Sequence, residues 1–352
     1  MNESGGPIRR RELVVAGKTG PIVNARMHRL DRSEFESSTS KYDRAVAADP
    51  TIDGFCSRSA WTMSFHAAFR PGAALHVARE GDAFVALTAV HEPQVGVVLQ
   101  PLEAMWGFAS PLVGEGSCEL LRQILEELAA GGGRVPLLLT GVPAARSRLE
   151  PLLRMLGADF ALRPLRETVR FQASLDGGME GWLARRRAGF RRNLRAARRR
   201  THAAGMVFES TSPVDATATA AVYERVLAIE RHSWKTQSGN GVEHGPMREF
   251  YARMLPRLAA RGELRVLIAT RDGSDIGYLY GGIAGNLFRG LQFSFREEAR
   301  ELGLGNALQA EMLERVCAEG IATYDLGSQS EYKRHWAEPG LITLGLLARP
   351  RG

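Results

Sequence analysis

The stretch GLQFSFREEARELGLGNALQAEMLER, residues 290–315, decides the reading of this chain. Leu291 to Phe295 is a short run of aromatic and β-forming residues. A five-residue step then leads to Arg300, Gly303 and Gly305 in the spacing Arg-x-x-Gly-x-Gly, and a helical pattern runs on from Ala307. Strand, glycine loop and helix in that order make a phosphate site. Glycine lets the backbone turn tightly and approach a ligand. Free N–H groups at the helix start, and the helix dipole, favour an anion there. Arg300 adds a permanent, forked cation. On this reading the N–H groups of Leu304, Gly305 and Asn306 hold the anion. The strand Gln292, Phe293, Ser294 and Phe295 runs into this loop and would flank whatever is bound there.

Working outward, 352 residues suggest two domains, and 44% hydrophobic with 24% charged residues is ordinary for a soluble protein. No apolar run is long enough to cross a bilayer, and the N-terminus lacks the apolar core of a secretory signal. Cys56, Cys118 and Cys317 are too far apart for a metal motif or a disulfide framework, so a cytoplasmic setting is expected. His232 and His335 have no ligand partners at suitable spacing, so no metal is expected. A formal charge of +7 and a pI near 9.6 predict attraction to anions without choosing among nucleic acid, membrane surface and phosphorylated ligands.

Hydrophobic periodicity and turn residues predict the elements. In the first half they give a frayed segment 1–20, a strand at 22–30, a helix at 32–48, a helix at 55–69 and a hairpin of 74–79 with 83–91. A strand at 103–108, a helix at 118–130, a strand at 134–140, a helix at 146–156 closed by Gly157, and extended chain at 160–175 follow. The second half repeats the order. A basic helix at 182–204, a strand at 206–211, a helix at 214–234, a flexible turn at 236–241 and a helix at 246–260 come first. A hairpin of 264–270 with 276–284, the strand 287–295, a helix at 306–319, a strand at 322–326, a short helix at 330–337 and a strand at 341–348 complete it. Helices interrupting runs of strands argue for two mixed α/β layers side by side, with no residue-by-residue repeat between them.

This order, with Arg300-x-x-Gly303-x-Gly305 after the fourth strand, resembles the GNAT superfamily of N-acetyltransferases. Two such units in one chain resemble the FemAB-like and BioF2-like (CelD-type) acyltransferases. The basic run at 184–200, Glu230-x-x-Ser233-Trp234-Lys235, Phe250-Tyr251, Asp325-Leu326-Gly327 and Glu331-Tyr332-Lys333-x-x-Trp336 carry that likeness. It implies an α/β fold of mixed α+β sheets, with two tandem GNAT-like domains, each a mixed central sheet flanked by helices. The expected divisions are a flexible 1–20, a degenerate N-terminal GNAT-like domain at 21–176 and a C-terminal acyltransferase domain at 177–352. In the first half Gly114-Glu115-Gly116 stands where the loop belongs, but no Arg or Gln precedes it at the right offset.

The resemblance implies acyl-CoA (acetyl-CoA or longer) as co-substrate, and transfer to a small-molecule or peptide amine by direct attack. That chemistry needs a neutral amine, a polarised carbonyl and a protonated leaving thiolate. Candidate bases are Asp325, Glu230 and Glu331; candidate acids are Tyr332 and Tyr280. Nine arginines between Arg185 and Arg200 form a cationic helix suited to the coenzyme's phosphates, an acidic lipid head or a tRNA acceptor stem. Two rival readings therefore stand beside the first. One is an aminoacyl-tRNA-dependent, FemAB-like amide-forming transferase. The other is a non-catalytic binding module of polysaccharide or cell-envelope assembly.

Overall fold

The computed structural model describes residues 27–131, 133–233, 235 and 241–351. The expected frayed segment 1–20, the start of the strand at 22, Trp234 and most of the turn at 236–241 lie outside the described residues.

The first half begins with β1 (His28–Leu30), α1 (Arg32–Ser37) and α2 (Thr39–Ala48). Asp31 and Glu34 close a reciprocal capping box at the start of α1, each carboxylate accepting the other's backbone N–H at 2.8 Å. The single helix expected at 32–48 is two. The Ser37 and Ser38 hydroxyls turn back onto the Glu34 carbonyl and end α1 there. The next helix, α3 (Ser59–Phe69), starts four residues later than expected. Asp53 ties the N–H groups of Phe55 and Cys56 into a turn instead.

The hairpin β2 (Ala74–Glu80) and β3 (Ala83–Glu92) forms as expected and is extended by β4 (Gly96–Pro101). The strand expected at 103–108 is a loop. The buried Glu103 carboxylate accepts the N–H groups of Trp106, Phe108 and Ala109, and a backbone bonded to one side chain in this way cannot also form a ladder. β5 (Leu112–Val113), α4 (Ser117–Ala130), β6 (Leu137–Pro143), α5 (Arg146–Asp159), β7 (Phe160–Pro164) and β8 (Thr168–Ser174) follow. Gly157 does not cap α5. It has no positive φ, and the helix runs two residues past it to a cap at Phe160.

In the second half the long basic helix divides into α6 (Gly178–Ala184) and α7 (Ala188–Ala203). No glycine or proline marks the break. Arg185 bonds to the carbonyls of Ser174 and Asp176, and Arg186 pairs with Glu338, which fixes 185–187 as a corner. β9 (Val207–Thr211), α8 (Ala216–Glu230) and α9 (Gly245–Ala259) lead to the meander β10 (Leu264–Arg271), β11 (Ser274–Ala284) and β12 (Leu287–Phe295). Then come α10 (Leu304–Ala318), β13 (Thr323–Ser328), a 3-10 turn at Tyr332–His335 and β14 (Glu338–Pro350).

The strands join in one mixed sheet whose order is β1-β2-β3-β4-β6-β14-β8-β13-β12-β11-β10-β9. The last strand is thus inserted in the middle. β14 runs antiparallel to β6 and β7 of the first half and also to β8, while β8 pairs with β13 of the second. The two expected layers are both present and are joined edge to edge through this exchange. An aromatic cluster seals the join on one face. Trp61, Phe65, Phe69 and Trp106 pack on Phe250 with ring centroids 5.1–6.3 Å apart.

Candidate functional site

β12 and β13 are parallel neighbours for only three residue pairs, Leu287 with Thr323, Phe288 with Tyr324 and Arg289 with Asp325. Beyond Arg289 they diverge, because the Tyr324 ring packs against Gly290, where a Cβ would lie 2.8 Å from it. The β13-facing edge of residues 290–295 is left without a strand partner. On its other side β12 stays paired with β11, but the register slips at Gly281–Gly290 and Leu291 bulges from the ladder.

A cavity of about 570 Å³ opens along that edge. One wall is Gly290, Leu291, Gln292, Phe293 and Phe295; the other is Tyr324, Leu326, Tyr332, Lys333 and Trp336. Its far end is the loop Arg300, Gly303, Gly305 and Asn306. Gly303 caps α10 with φ +73°, a conformation that favours glycine, and it sits on α7, where an added Cβ would lie 3.1 Å from Ala197 and 3.0 Å from Arg200. Asn306 bonds back to the Gly303 carbonyl at 3.0 Å, so the N–H groups of Leu304 and Gly305 are the ones that the helix leaves open. Arg300 is 59% exposed and pairs with Glu297, Nε to Oε1 at 2.5 Å and Nη2 to Oε2 at 2.9 Å.

The structure thus gathers Gln292, Phe293, Phe295, Arg300, Gly303, Gly305, Asn306 and Tyr332 around one cavity. Ser294 and Leu304 point away from it. Ser294 is fully buried on the opposite face of β12, and the Leu304 side chain packs under Gly277 in the core.

Two carboxylates considered as bases stand behind the cavity. Asp325 is 1% exposed and accepts bonds from Arg170 at 2.9 Å, Arg289 at 2.7 Å, Gln172 at 3.1 Å and the Gly327 N–H at 2.6 Å. Burial alone would raise its pKa; the two guanidinium groups outweigh that and hold the carboxyl well below the usual range. Asp53 pairs with the same Arg170 at 2.7 Å, and both guanidiniums lie over the Phe108 ring, so this network ties β8, β12 and β13 to the first half. Glu230, fully buried at the end of α8, accepts bonds from the Tyr278 hydroxyl at 2.9 Å, Ser233 at 3.2 Å and the Val242 N–H at 3.2 Å. Glu331 is exposed and Tyr280 fully buried, and neither lines the cavity.

Two lysines that do line it received no role from the sequence. Lys235 Nζ donates to Gln292 Oε1 at 2.8 Å and to the Phe293 carbonyl at 2.5 Å. Burial lowers its pKa to about 8, against a smaller opposing pull from Glu230. Lys333 Nζ donates to the Ser328 carbonyl at 2.9 Å, and burial, with Arg289 nearby, brings it to about 8 as well. Beside it the Tyr332 hydroxyl is pushed up to about 12 by desolvation. The signal was in the motifs Glu230-x-x-Ser233-Trp234-Lys235 and Tyr332-Lys333. Only the fold shows that residues almost a hundred positions apart face one cavity.

The first half lacks a matching cleft among its described residues. β4 and β6 share a single residue pair, Leu99 with Leu137, and the loop after β4 fills the gap beyond it. A Cβ on Gly141 would lie 1.9 Å from the Ala109 carbonyl oxygen, so that loop rests directly on β6.

Residues 188–334 match the family described as Acetyltransferase (GNAT) domain. The structure titled FemX is 13% identical, with a TM-score of 0.60 over 87% of this chain and 95% of that one. A conserved protein of unknown function from Bacteroides thetaiotaomicron is 12% identical, with a TM-score of 0.59 over 89% and 97% of the two chains. L-PGS from Bacillus licheniformis is 12% identical, with a TM-score of 0.55 over 88% and 91%. At these identities the likeness is one of fold. No curated protein matches the chain.

Proposed function

From a chain whose residues 188–334 belong to the GNAT acetyltransferase domain family, on a fold shared with FemX, we propose an N-acyltransferase that moves an acyl group from acyl-CoA to an amine. The observation that carries this reading is the cavity itself: one strand edge without a strand partner along residues 290–295, ending at a helix start capped by Gly303. A pyrophosphate fits the loop, and the amides of a pantetheine arm fit the edge.

Acyl-CoA, when bound, supplies an activated carbonyl and a thiolate leaving group. The N–H groups of Leu304 and Gly305, with Arg300, hold the pyrophosphate. The bulge at Leu291 frees a strand N–H to receive negative charge on the carbonyl oxygen. Lys235 takes the proton from the attacking amine: in its neutral form it keeps two N–H bonds for Gln292 and Phe293 and has a lone pair for the proton. Glu230 opposes the lowering of the Lys235 pKa through its charge, and Asp325 serves the scaffold. Tyr332, with a pKa near 12, is too weak an acid to protonate an ordinary thiolate of pKa about 8.5 and instead donates a hydrogen bond to the sulfur. Lys333, near 8, matches the thiolate and supplies the proton.

Calorimetry with coenzyme A tests the reading. Saturable binding is expected, weakened in Arg300→Ala by about 1 kcal/mol, because an exposed guanidinium already paired with Glu297 gives up part of its gain to rearrangement. No binding at any attainable concentration would overturn the acyl-CoA assignment and leave the tRNA-dependent and non-catalytic readings standing.

The pH profile tests Lys235. Its pKa is lowered from 10.5 to about 8, so its neutral fraction rises through pH 8 and gives kcat/KM an ascending limb, while Lys333, also near 8, gives a descending limb as it loses its proton. Lys235→Arg stays charged, should lose the ascending limb, and should fall about 100-fold at pH 9. Ionisation of the acceptor amine acts in both proteins, so the difference between the two profiles is the readout. Superimposable profiles would remove Lys235 from the mechanism.

One observation favours a tRNA-linked donor as a second reading. Arg192, Arg195 and Arg199 on α7, and Arg187 at its N-cap, are exposed and form no ion pair among the described residues. Activity abolished by RNase would select that reading.

A further inference from the structure

The 3-10 turn Tyr332–His335 has a second cavity on its other side. Tyr332 and Lys333 line the cavity along β12; Arg334 and His335 line another, of about 510 Å³, against the corner between α6 and α7. Four guanidinium groups, Arg185, Arg186, Arg187 and Arg334, face a single carboxylate there, Glu338. The carboxylate is already committed to Arg186, at 2.5 Å. Arg186 is 6% exposed and also bonds to the Trp182 carbonyl, while Arg185 is clamped on the carbonyls of Ser174 and Asp176. These two are fixed parts of the wall. Arg187 and Arg334 are exposed and form no ion pair among the described residues, so two forked donors are left for a ligand. Phe190 gives the cavity an apolar face, with the His335 ring stacked on it at a centroid distance of 6.0 Å.

We propose that this cavity binds a phosphate monoester, with the phosphate between Arg187 and Arg334 and the esterified group on the Phe190–His335 face. A phosphate has enough oxygens to accept from both forks at once, and the fixed Arg185 and Arg186 add an attractive field with only one carboxylate to oppose it. The cavity is distinct from the glycine loop, which lies beyond the other face of the turn. The inference does not depend on what the loop binds.

The test is calorimetry with phenyl phosphate and with inorganic phosphate, carried out on Gly305→Val so that the glycine loop is filled and contributes little. Phenyl phosphate should bind saturably and more tightly than inorganic phosphate, since only the ester uses the aromatic face. Adding Arg334→Ser should weaken phenyl phosphate about tenfold or more, as expected for the loss of one charge-assisted contact. Arg334 is exposed, so the variant should fold, and far-UV circular dichroism would check this. Three results would overturn the proposal: no saturable binding to the Gly305→Val chain, equal binding with and without Arg334, or equal affinity for ester and inorganic phosphate. The last would mean a general anion patch with no place for the organic group.

Discussion

Asp325→Ala should lower the stability of the folded chain by about 3–5 kcal/mol, the range for stranding buried charges by removing their partner. The substitution deletes the carboxylate that Arg170 and Arg289 share and leaves two guanidiniums, 1% and 5% exposed, with Asp53 as the remaining counter-charge. Against a total of roughly 5–15 kcal/mol for a typical domain, that is a large fraction. Asp325→Asn keeps an acceptor for some of the four hydrogen bonds and should fall between wild type and Asp325→Ala. Urea denaturation at pH 7 measures both. A loss under about 1 kcal/mol for the alanine variant would show that water reaches the guanidiniums and that the network is not a closed one.

The same network predicts an acid dependence with a definite sign. The folded carboxyl titrates below its unfolded value, so the unfolded chain binds its proton first as pH falls. The contribution of Asp325 is fully present above about pH 4, the ordinary carboxylate value, and is lost toward pH 2. The stability gap between wild type and Asp325→Asn should therefore be constant near neutrality and narrow only below pH 4.

This network also marks the limit of what the sequence discloses. Asp325 is placed by a local pattern, a short strand ending in Asp-Leu-Gly, which makes it a candidate base. Its partner Arg170 is 155 residues away and reaches it because β8 pairs with β13, which no local pattern announces. The insertion of β14 between β6 and β8 escapes notice for the same reason. Its alternation predicts a strand but not its neighbours, since register follows from which faces are buried once the sheet exists. The loop at residues 300–305 was legible because everything it needs is consecutive: strand residues, a step, two glycines at fixed spacing and a helix. Lys235 was not, because its depressed pKa comes from burial against β12, 57 residues further on. Glu103 misled in the opposite direction. Its surroundings have strand-forming composition, but a single buried carboxylate gathering three N–H groups overrides that propensity.

Gly305→Val should abolish coenzyme binding while leaving the fold intact. Gly305 has no positive φ and lies in the first turn of α10, so a side chain meets no backbone obstacle there. Its Cβ would stand 3.0 Å from the Phe295 ring and 3.3 Å from the Phe293 ring, close enough that both must shift. Those rings line the cavity, and the valine branches would occupy the space where a phosphate must come close to the Leu304 and Gly305 N–H groups. A loss of at least about 100-fold in coenzyme A affinity, or about 2.7 kcal/mol, is expected, with a thermal midpoint within a few degrees of wild type. Gly305→Ala should be intermediate, since one methyl crowds the rings without filling the cradle. Arg300→Ala is the complementary case: it removes charge and leaves the shape, and its smaller loss would show that the backbone N–H groups, not the cation, dominate anion binding. If Gly305→Val binds coenzyme A normally while Arg300→Ala does not, the order of those contributions is reversed, and the phosphate sits on the outer side of the loop beside Glu297.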